Sequence, residues 1–160
     1  MDKPTRKAVR CYLIKGNNVV ATKYKQGNKK GYYDIPGGKI EDGELPEQTA
    51  IREMKEETGI DIRNLKYRGN MIIEYPNRIF DCDIFICNEC EGKPQEFDEN
   101  TSEWIEIQEL LQKEKILSNI IVLDRFFIKG LMDNTCNIKI HIDVNEQENI
   151  LGVKYSLEEK

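Results

Sequence analysis

Three glutamates, Glu53, Glu56 and Glu57, are spaced i, i+3 and i+4 within Arg52-Glu-Met-Lys-Glu-Glu-Thr-Gly59, which gathers their carboxylates on one face of a helix. Like charges at this spacing oppose the helix by roughly a few tenths of a kcal/mol per pair. Placed in its C-terminal half, they also stand against the macrodipole. A hard divalent cation answers that excess, because Mg²⁺ takes oxygen ligands, keeps several waters and bridges carboxylates to substrate phosphates. A solvated acidic face screened by Arg52 and Lys55 would read the same from these residues alone. What precedes them favours the cation: Pro36-Gly37-Gly38 and the tight Glu41-Asp42-Gly43-Glu44 turn predict a strand-loop-helix unit that delivers backbone groups beside the carboxylates.

The elements that must hold this face follow from spacing. Pro46 suits the first position of a helix and Gly59 the residue past its cap, so the helix is predicted to span about thirteen residues. Ala50, Ile51, Met54 and Thr58 fall on a separate stripe suited to a core. Upstream, Ala8 to Ile14 and Val19 to Tyr24 flank a Gly16-Asn17-Asn18 turn and predict a hairpin, with Tyr32 to Ile35 a short strand into the Pro-Gly-Gly. Downstream, Lys66 to Glu74 and Arg78 to Cys87 predict a second hairpin around Tyr75-Pro76-Asn77. The stretch from Glu91 to Ser102 reads as a polar loop, Glu103 to Ile107 as a strand and Gln108 to Gln112 as a short helix. Ser118 can cap a longer helix from about Asn119 to Met132, with Ile120, Leu123, Phe127 and Leu131 as its apolar stripe. Asn137 to Val144 and Ile150 to Tyr155 predict a final hairpin across a polar turn.

At 160 residues the chain is expected to form a single domain over 1–160, with a core of about 6–132 and the hairpin as an extension from 133. A mean hydropathy of -0.63 and no apolar run long enough to span a bilayer argue against a membrane protein. With no secretory signal at its start, the cytoplasm is expected. Cysteines 11, 82, 87, 90 and 136 form an odd set suited to a reduced compartment, and Cys87-Asn-Glu-Cys90 lacks the second pair that structural zinc would need. A formal charge of -5 disfavours a nucleic-acid polymer as partner, while a small phosphorylated ligand stays allowed because a bound metal inverts the local field.

Residues 38 to 60 fill every position of G-x5-E-x7-R-E-U-x-E-E-x-G-U, where U is bulky and apolar. The chance of that in a chain this long is on the order of 10⁻⁷. The chain thereby resembles the Nudix hydrolase superfamily. The resemblance implies an α/β (α+β) fold, an α/β/α sandwich with a mixed sheet between the box helix and the C-terminal helix, to which this chain adds a C-terminal β-hairpin. It further implies hydrolysis of a nucleoside diphosphate linked to another group, with Mg²⁺ or Mn²⁺. By position, Glu53, Glu56 and Glu57 would be metal ligands or base and the Gly37 carbonyl a further ligand. Arg52 would orient the carboxylates and Glu44 brace the loop. Family members also take a carboxylate from a later loop, where Glu96, Asp98 and Glu99 lie here; they read equally as solvated acids.

Within the superfamily the similarity is to MutT-type nucleoside triphosphate pyrophosphohydrolases, through Pro36-Gly-Gly-Lys-Ile-Glu-x-Gly-Glu44, Tyr75-Pro76-Asn77-Arg78, Glu91-Gly92-Lys93-Pro94 and Glu103-Trp104. Asn119 stands where that group places a purine-contacting Asn, or is an ordinary first-turn residue. Tyr75 could stack on a base or be a hairpin aromatic; Arg78 could meet phosphate or be plain surface. The alternatives are an ADP-ribose, nucleotide-sugar or dinucleoside-polyphosphate pyrophosphatase, or a non-catalytic nucleotide sensor. The edge of the last hairpin could pair with a second copy to make a homodimer, or cover its own sheet.

Overall fold

The computed structural model describes residues 2–116 and 136–159. In chain order the elements are β1 (Thr5–Lys15), β2 (Asn18–Tyr24), β3 (Tyr33–Asp34), β4 (Gly37–Lys39), α1 (Pro46–Thr58) and β5 (Asp61–Arg63). Then come β6 (Lys66–Glu74), β7 (Ile79–Cys87), β8 (Glu89–Glu91), β9 (Asn100–Glu106), α2 (Ile107–Leu111), β10 (Cys136–Val144) and β11 (Ile150–Glu159). The main sheet runs β11-β10-β6-β7-β1-β2-β3, with β4 added on β1 and β9 on β2. It is mixed: β1 lies parallel to β7 and β6 parallel to β10, while the hairpins are antiparallel. The fold is α+β with a mixed sheet, as expected, and among the described residues it is mostly strand.

Burial follows the alternation of each strand. On β1, Ala8, Tyr12 and Ile14 face one side and Val9, Cys11 and Leu13 the other, and all are buried, which is how a strand reads when both faces are covered. One core joins Tyr12, Met71, Ile84, Ile105, Leu110 and Ile140. The other packs Val9, Cys11, Leu13 and Phe85 against Ala50 and Met54 of α1. The predicted helix Asn119–Met132, Asn119 included, lies outside the described residues.

The ends of α1 are where turn chemistry predicts them. Gln48 Oε1 accepts the Leu45 N–H at 2.8 Å, and Gly59 at φ 79 closes the helix through its N–H to the Lys55 carbonyl. One expected core residue is misplaced: Ile51 is 37% exposed, and Thr49 is buried instead. Ala50, Met54 and Thr58 already fill the i, i+4, i+8 ridge. Thr49 tolerates burial because its hydroxyl donates to Glu44 Oε1 at 3.0 Å.

Two stretches expected as loop are strand. Gly37–Lys39 pairs with β1, Val9 opposite Gly38 and Arg10 opposite Gly37. Within Glu91–Ser102, Glu91 ends β8, and Asn100 to Ser102 open β9 by pairing with Thr22 to Tyr24. Their polar side chains carry no period-2 signal, and backbone pairing alone makes them strand. The final hairpin is longer than expected and is no appendage. β10 lies along β6, Ile138 opposite Gly69 through Asp143 opposite Glu74. Gly69, at φ 144, permits this, because a Cβ there would lie 1.9 Å from the Ile138 carbonyl oxygen.

Candidate active site

The site is assembled where β4 crosses to meet α1. A Cβ on Gly37 would sit 2.0 Å from the Val9 carbonyl oxygen, and one on Gly38 would sit 2.5 Å from Glu53 Cδ. The two glycines therefore have separate reasons. Gly37 lets β4 lie on β1, and Gly38 lets the Glu53 carboxylate approach the backbone.

Arg52 organises the acidic face. Its Nε and Nη2 fork onto Glu44 at 2.7 and 2.9 Å, while Nη1 donates to Glu53 Oε1 at 2.9 Å and Glu56 Oε2 at 3.2 Å. Nη2 also reaches the Lys39 carbonyl at 3.3 Å. Glu44 in turn accepts from the Glu41 N–H at 3.0 Å and from Thr49. Hydrogen bonds from Arg52 first, then from the Glu41 backbone, hold the Glu44 carboxyl down to about 2. This is a bidentate, fully engaged brace, of the kind a planar guanidinium suits and an ammonium does not.

Glu57 is the opposite case. Burial, then repulsion from Glu53 and from Asp34, pushes its carboxyl well above the ordinary range, against a bond from the Gly37 N–H at 3.4 Å. Arg52 bonds to Glu53 and Glu56, so the face that they form with Glu57 keeps a surplus of carboxylates beside the half-buried Gly37–Gly38 backbone. An all-oxygen set of carboxylates next to the Gly37–Gly38 backbone has the donor chemistry of a hard divalent cation, and among the described residues Arg52 is the cation in contact with Glu53 and Glu56.

A cleft of about 420 Å³ leads away from Gly37 and Gly38. Beside its polar end lies a network that sequence reading missed. Arg10 Nη1 meets Asp34 Oδ1 at 2.5 Å, the Tyr24 hydroxyl donates to Asp34 Oδ2 at 2.8 Å, and the Ile35 N–H donates to Oδ1 at 2.7 Å. Burial works against the Arg10 charge, but Asp34, with Cys82, Tyr12 and Tyr24 behind it, more than offsets it, and Arg10 stays firmly protonated. An arginine inside the apolar run Ala8–Ile14 was the available signal.

The far end of the cleft is apolar, with Ile73, Phe80, Ile142 and Val144, and holds both Tyr75 and Arg78. Arg78 Cζ lies 3.8 Å from the Tyr75 ring centroid. Asp98 and Glu99 are exposed. Their loop is tied to α1 through the Asn100 Nδ2 bond to the Glu57 carbonyl at 2.8 Å and the Gln95 N–H bond to the Thr58 carbonyl at 3.0 Å. The loop is brought to the site, and both carboxylates stay in solvent. Cys87 turns inward, its Sγ 3.7 Å from Cys11 Sγ, away from any metal pairing with Cys90. Glu74, His141 and Asp143 also converge among the described residues. There the Lys3 ammonium, 2.8 Å from Glu74, already supplies a cation. No helix among the described residues is long and apolar enough to cross a membrane.

Comparison with known proteins agrees with this geometry. The NUDIX domain family matches residues 4–126. The 8-oxo-dGTP diphosphatase of Proteus vulgaris is 34% identical over 80 residues, 49% of this chain and 71% of that one. The oxidized purine nucleoside triphosphate hydrolase of Danio rerio is 32% identical over 100 residues, 61% of this chain and 64% of that one, so the match to it spans just under two thirds of that relative. Among solved structures, the MutT protein from Bacillus halodurans superposes with a TM-score of 0.77 at 21% identity, covering 94% of this chain and 97% of that one, a likeness of fold. The chain belongs to the NUDIX domain family and is a hydrolase of the nucleotide pyrophosphohydrolase kind, with MutT-like relatives.

Proposed function

We propose that this protein hydrolyses a nucleoside triphosphate to the monophosphate and pyrophosphate, with Mg²⁺ or Mn²⁺ held by Glu53, Glu56, Glu57 and the Gly37 carbonyl. The observation that carries the reading is the under-neutralised carboxylate face at Gly37–Gly38, at one end of a cleft whose other end is apolar and aromatic. A nucleotide has that same polarity along its length. The relatives' names make an oxidised purine nucleoside triphosphate the first substrate to try.

The metal, when bound, would neutralise phosphate charge and lower the pKa of a coordinated water. The chain's own residues do the positioning. Glu44 fixes Arg52 by its two-point contact, and Arg52 aims Glu53 and Glu56 toward the glycine loop. Glu53, held against Gly38, is our first choice to accept the proton of the attacking water. The water oxygen bonds to phosphorus, the anhydride P–O bond breaks, its electron pair leaves with pyrophosphate if the α-phosphorus is attacked or with the monophosphate if the β-phosphorus is, and the proton goes to the carboxylate. Asp98 and Glu99, on the loop docked at the end of α1, would be additional ligands.

The sheet that joins β1 to β11 supports reading residues 1–160 as one domain. β11, at the end of that sheet, offers an edge for a second copy, and a homodimer is part of this proposal, tested by sedimentation. The activity is tested by incubating a panel of nucleotides with Mg²⁺ and separating products by anion exchange. Reaction in ¹⁸O water locates the attacked phosphorus. Monophosphate and pyrophosphate in equal amounts are expected; orthophosphate as the sole phosphate product, or no turnover across the panel, would overturn the reading.

A further inference from the structure

The β10–β11 hairpin does more than extend the sheet. Its turn end closes the apolar part of the cleft, with Ile142, Val144 and Ile150 in the wall. It also delivers a carboxylate. Glu148 Oε1 lies 3.5 Å from Arg78 Nη2, and the Arg78 guanidinium lies flat enough on Tyr75 to bring Cζ within 3.8 Å of the ring centroid. The turn is firmly tied. Asn145 Oδ1 accepts the N–H groups of Gln147 at 3.0 Å and Asn149 at 2.9 Å, and the Glu148 N–H donates to the Asn145 carbonyl at 3.0 Å. Glu148 itself holds φ 63, a left-handed conformation that a glutamate keeps only where its surroundings hold it.

Two chemistries compete for Arg78, a phosphate and a base. A phosphate there would meet the Glu148 carboxylate, which already offsets part of the cationic charge that would attract it. A planar, uncharged ring meets no such penalty and gains the face of a guanidinium fixed on an aromatic ring, together with three aliphatic walls. The phosphate end is elsewhere, beside Gly37 and Gly38.

We propose that the C-terminal hairpin forms the base-binding subsite of the cleft, with Glu148 as the positioning residue that holds Arg78 on Tyr75 as a stacking wall for a purine or pyrimidine ring. The subsite rests on the reading of the ligand as a nucleotide, and takes its base and not its phosphates. Its elements are separated by some seventy residues of sequence, the β6–β7 turn on one side and the β10–β11 turn on the other. Parallel pairing of β6 with β10 brings them together.

Two probes separate the ends of the cleft: a nucleoside, which carries no phosphate, and pyrophosphate with Mg²⁺, which carries no base. Titration calorimetry on wild type and Glu148→Gln should show nucleoside binding weakened about three- to tenfold, with pyrophosphate binding unchanged. In steady state with a nucleoside triphosphate, the loss should fall on KM and not on kcat. In an Arg78→Ala background, Glu148→Gln should add little further loss, because its partner is gone. Pyrophosphate weakened while the nucleoside is indifferent, equal weakening of both, no effect on either, or full additivity with Arg78→Ala would each overturn the subsite. Wild type that hydrolyses nucleotides while the Glu148 variant is indifferent removes the subsite alone; wild type that binds neither nucleoside nor nucleotide overturns the nucleotide reading with it.

Discussion

Arg10 and Arg52 both face carboxylates, and the fold treats them differently. Arg10 is buried with Asp34 in a one-to-one pair, and Tyr24 and the Ile35 N–H satisfy the remaining carboxylate capacity. Arg52 is partly exposed and shared among Glu41, Glu44, Glu53 and Glu56. The first network is complete and neutral, so it can sit in a low-dielectric interior. The second is left incomplete on the side facing Gly37 and Gly38, where Glu57 is forced toward its neutral form. That surplus of carboxylates is the feature on which the proposed cation site rests.

The largest expected effect breaks the incomplete side. Glu53→Gln and Glu57→Gln keep side-chain volume and remove charge, so each should lower turnover by roughly two to four orders of magnitude. Without metal the thermal midpoint should stay or rise, since like-charge repulsion is relieved. Near-wild-type turnover in both variants would end the metal-site assignment.

The complete network should answer in the opposite currency. Asp34→Ala leaves the Arg10 guanidinium buried without its partner, which typically costs about 3–5 kcal/mol, read as a shift in denaturant midpoint at constant slope. Replacing both partners, Arg10→Met with Asp34→Leu, should recover most of that loss. If Asp34→Ala were neutral for stability, the contrast between the two networks would be lost.

Metal sharpens the comparison without mutation. Mg²⁺ at about a hundred times its dissociation constant should stabilise the native state by about 2.7 kcal/mol through mass action, visible as a raised thermal midpoint in the absence of nucleotide. The rise should shrink in Glu57→Gln and persist in Glu148→Gln. A non-hydrolysable nucleotide should bind more tightly with Mg²⁺ than with EDTA; equal affinity in both would argue for recognition of base and sugar alone.

The incomplete network was legible in the sequence because a helix fixes the distance between i, i+3 and i+4 whatever the rest of the chain does. The bounds of α1 were legible for the same local reason, through Pro46 and Gly59. The complete network was not. Arg10 lies on β1 and Asp34 on β3, and they meet because the chain runs from β3 directly into β4, which pairs Gly37 with Arg10; sequence spacing carries no record of that. The strand character of Gly37–Lys39 was hidden by glycine, which has no side chain to show a period. The docking of the last hairpin did leave a mark, Gly69 inside a strand pattern, a known sign of close backbone approach. Glu148 left none, because its role depends on a parallel pairing between strands far apart in the chain.

The smallest expected effect concerns the brace itself and is read by pH. Glu44 has an ordinary carboxyl value of 4.5 when free and is held to about 2 in the folded protein, chiefly by Arg52. A carboxyl depressed on folding adds stability that is fully present above its unfolded value and is lost as pH falls through its folded one. Its contribution should therefore fade between about 4.5 and about 2. Glu44→Gln removes that titration, so its stability should lie below wild type at neutral pH and converge on it as acid is added, with a shallower slope across the window. Because the side chain is solvent-accessible, salt should shrink the difference at neutral pH. The same variant frees Arg52 from its fork, so turnover should fall less than in Glu53→Gln but more than the small change in stability would explain. Parallel stability curves for Glu44→Gln and wild type from pH 7 to 2 would show that Arg52 holds Glu44 in place without holding it ionised, and the brace would then owe its strength to geometry alone.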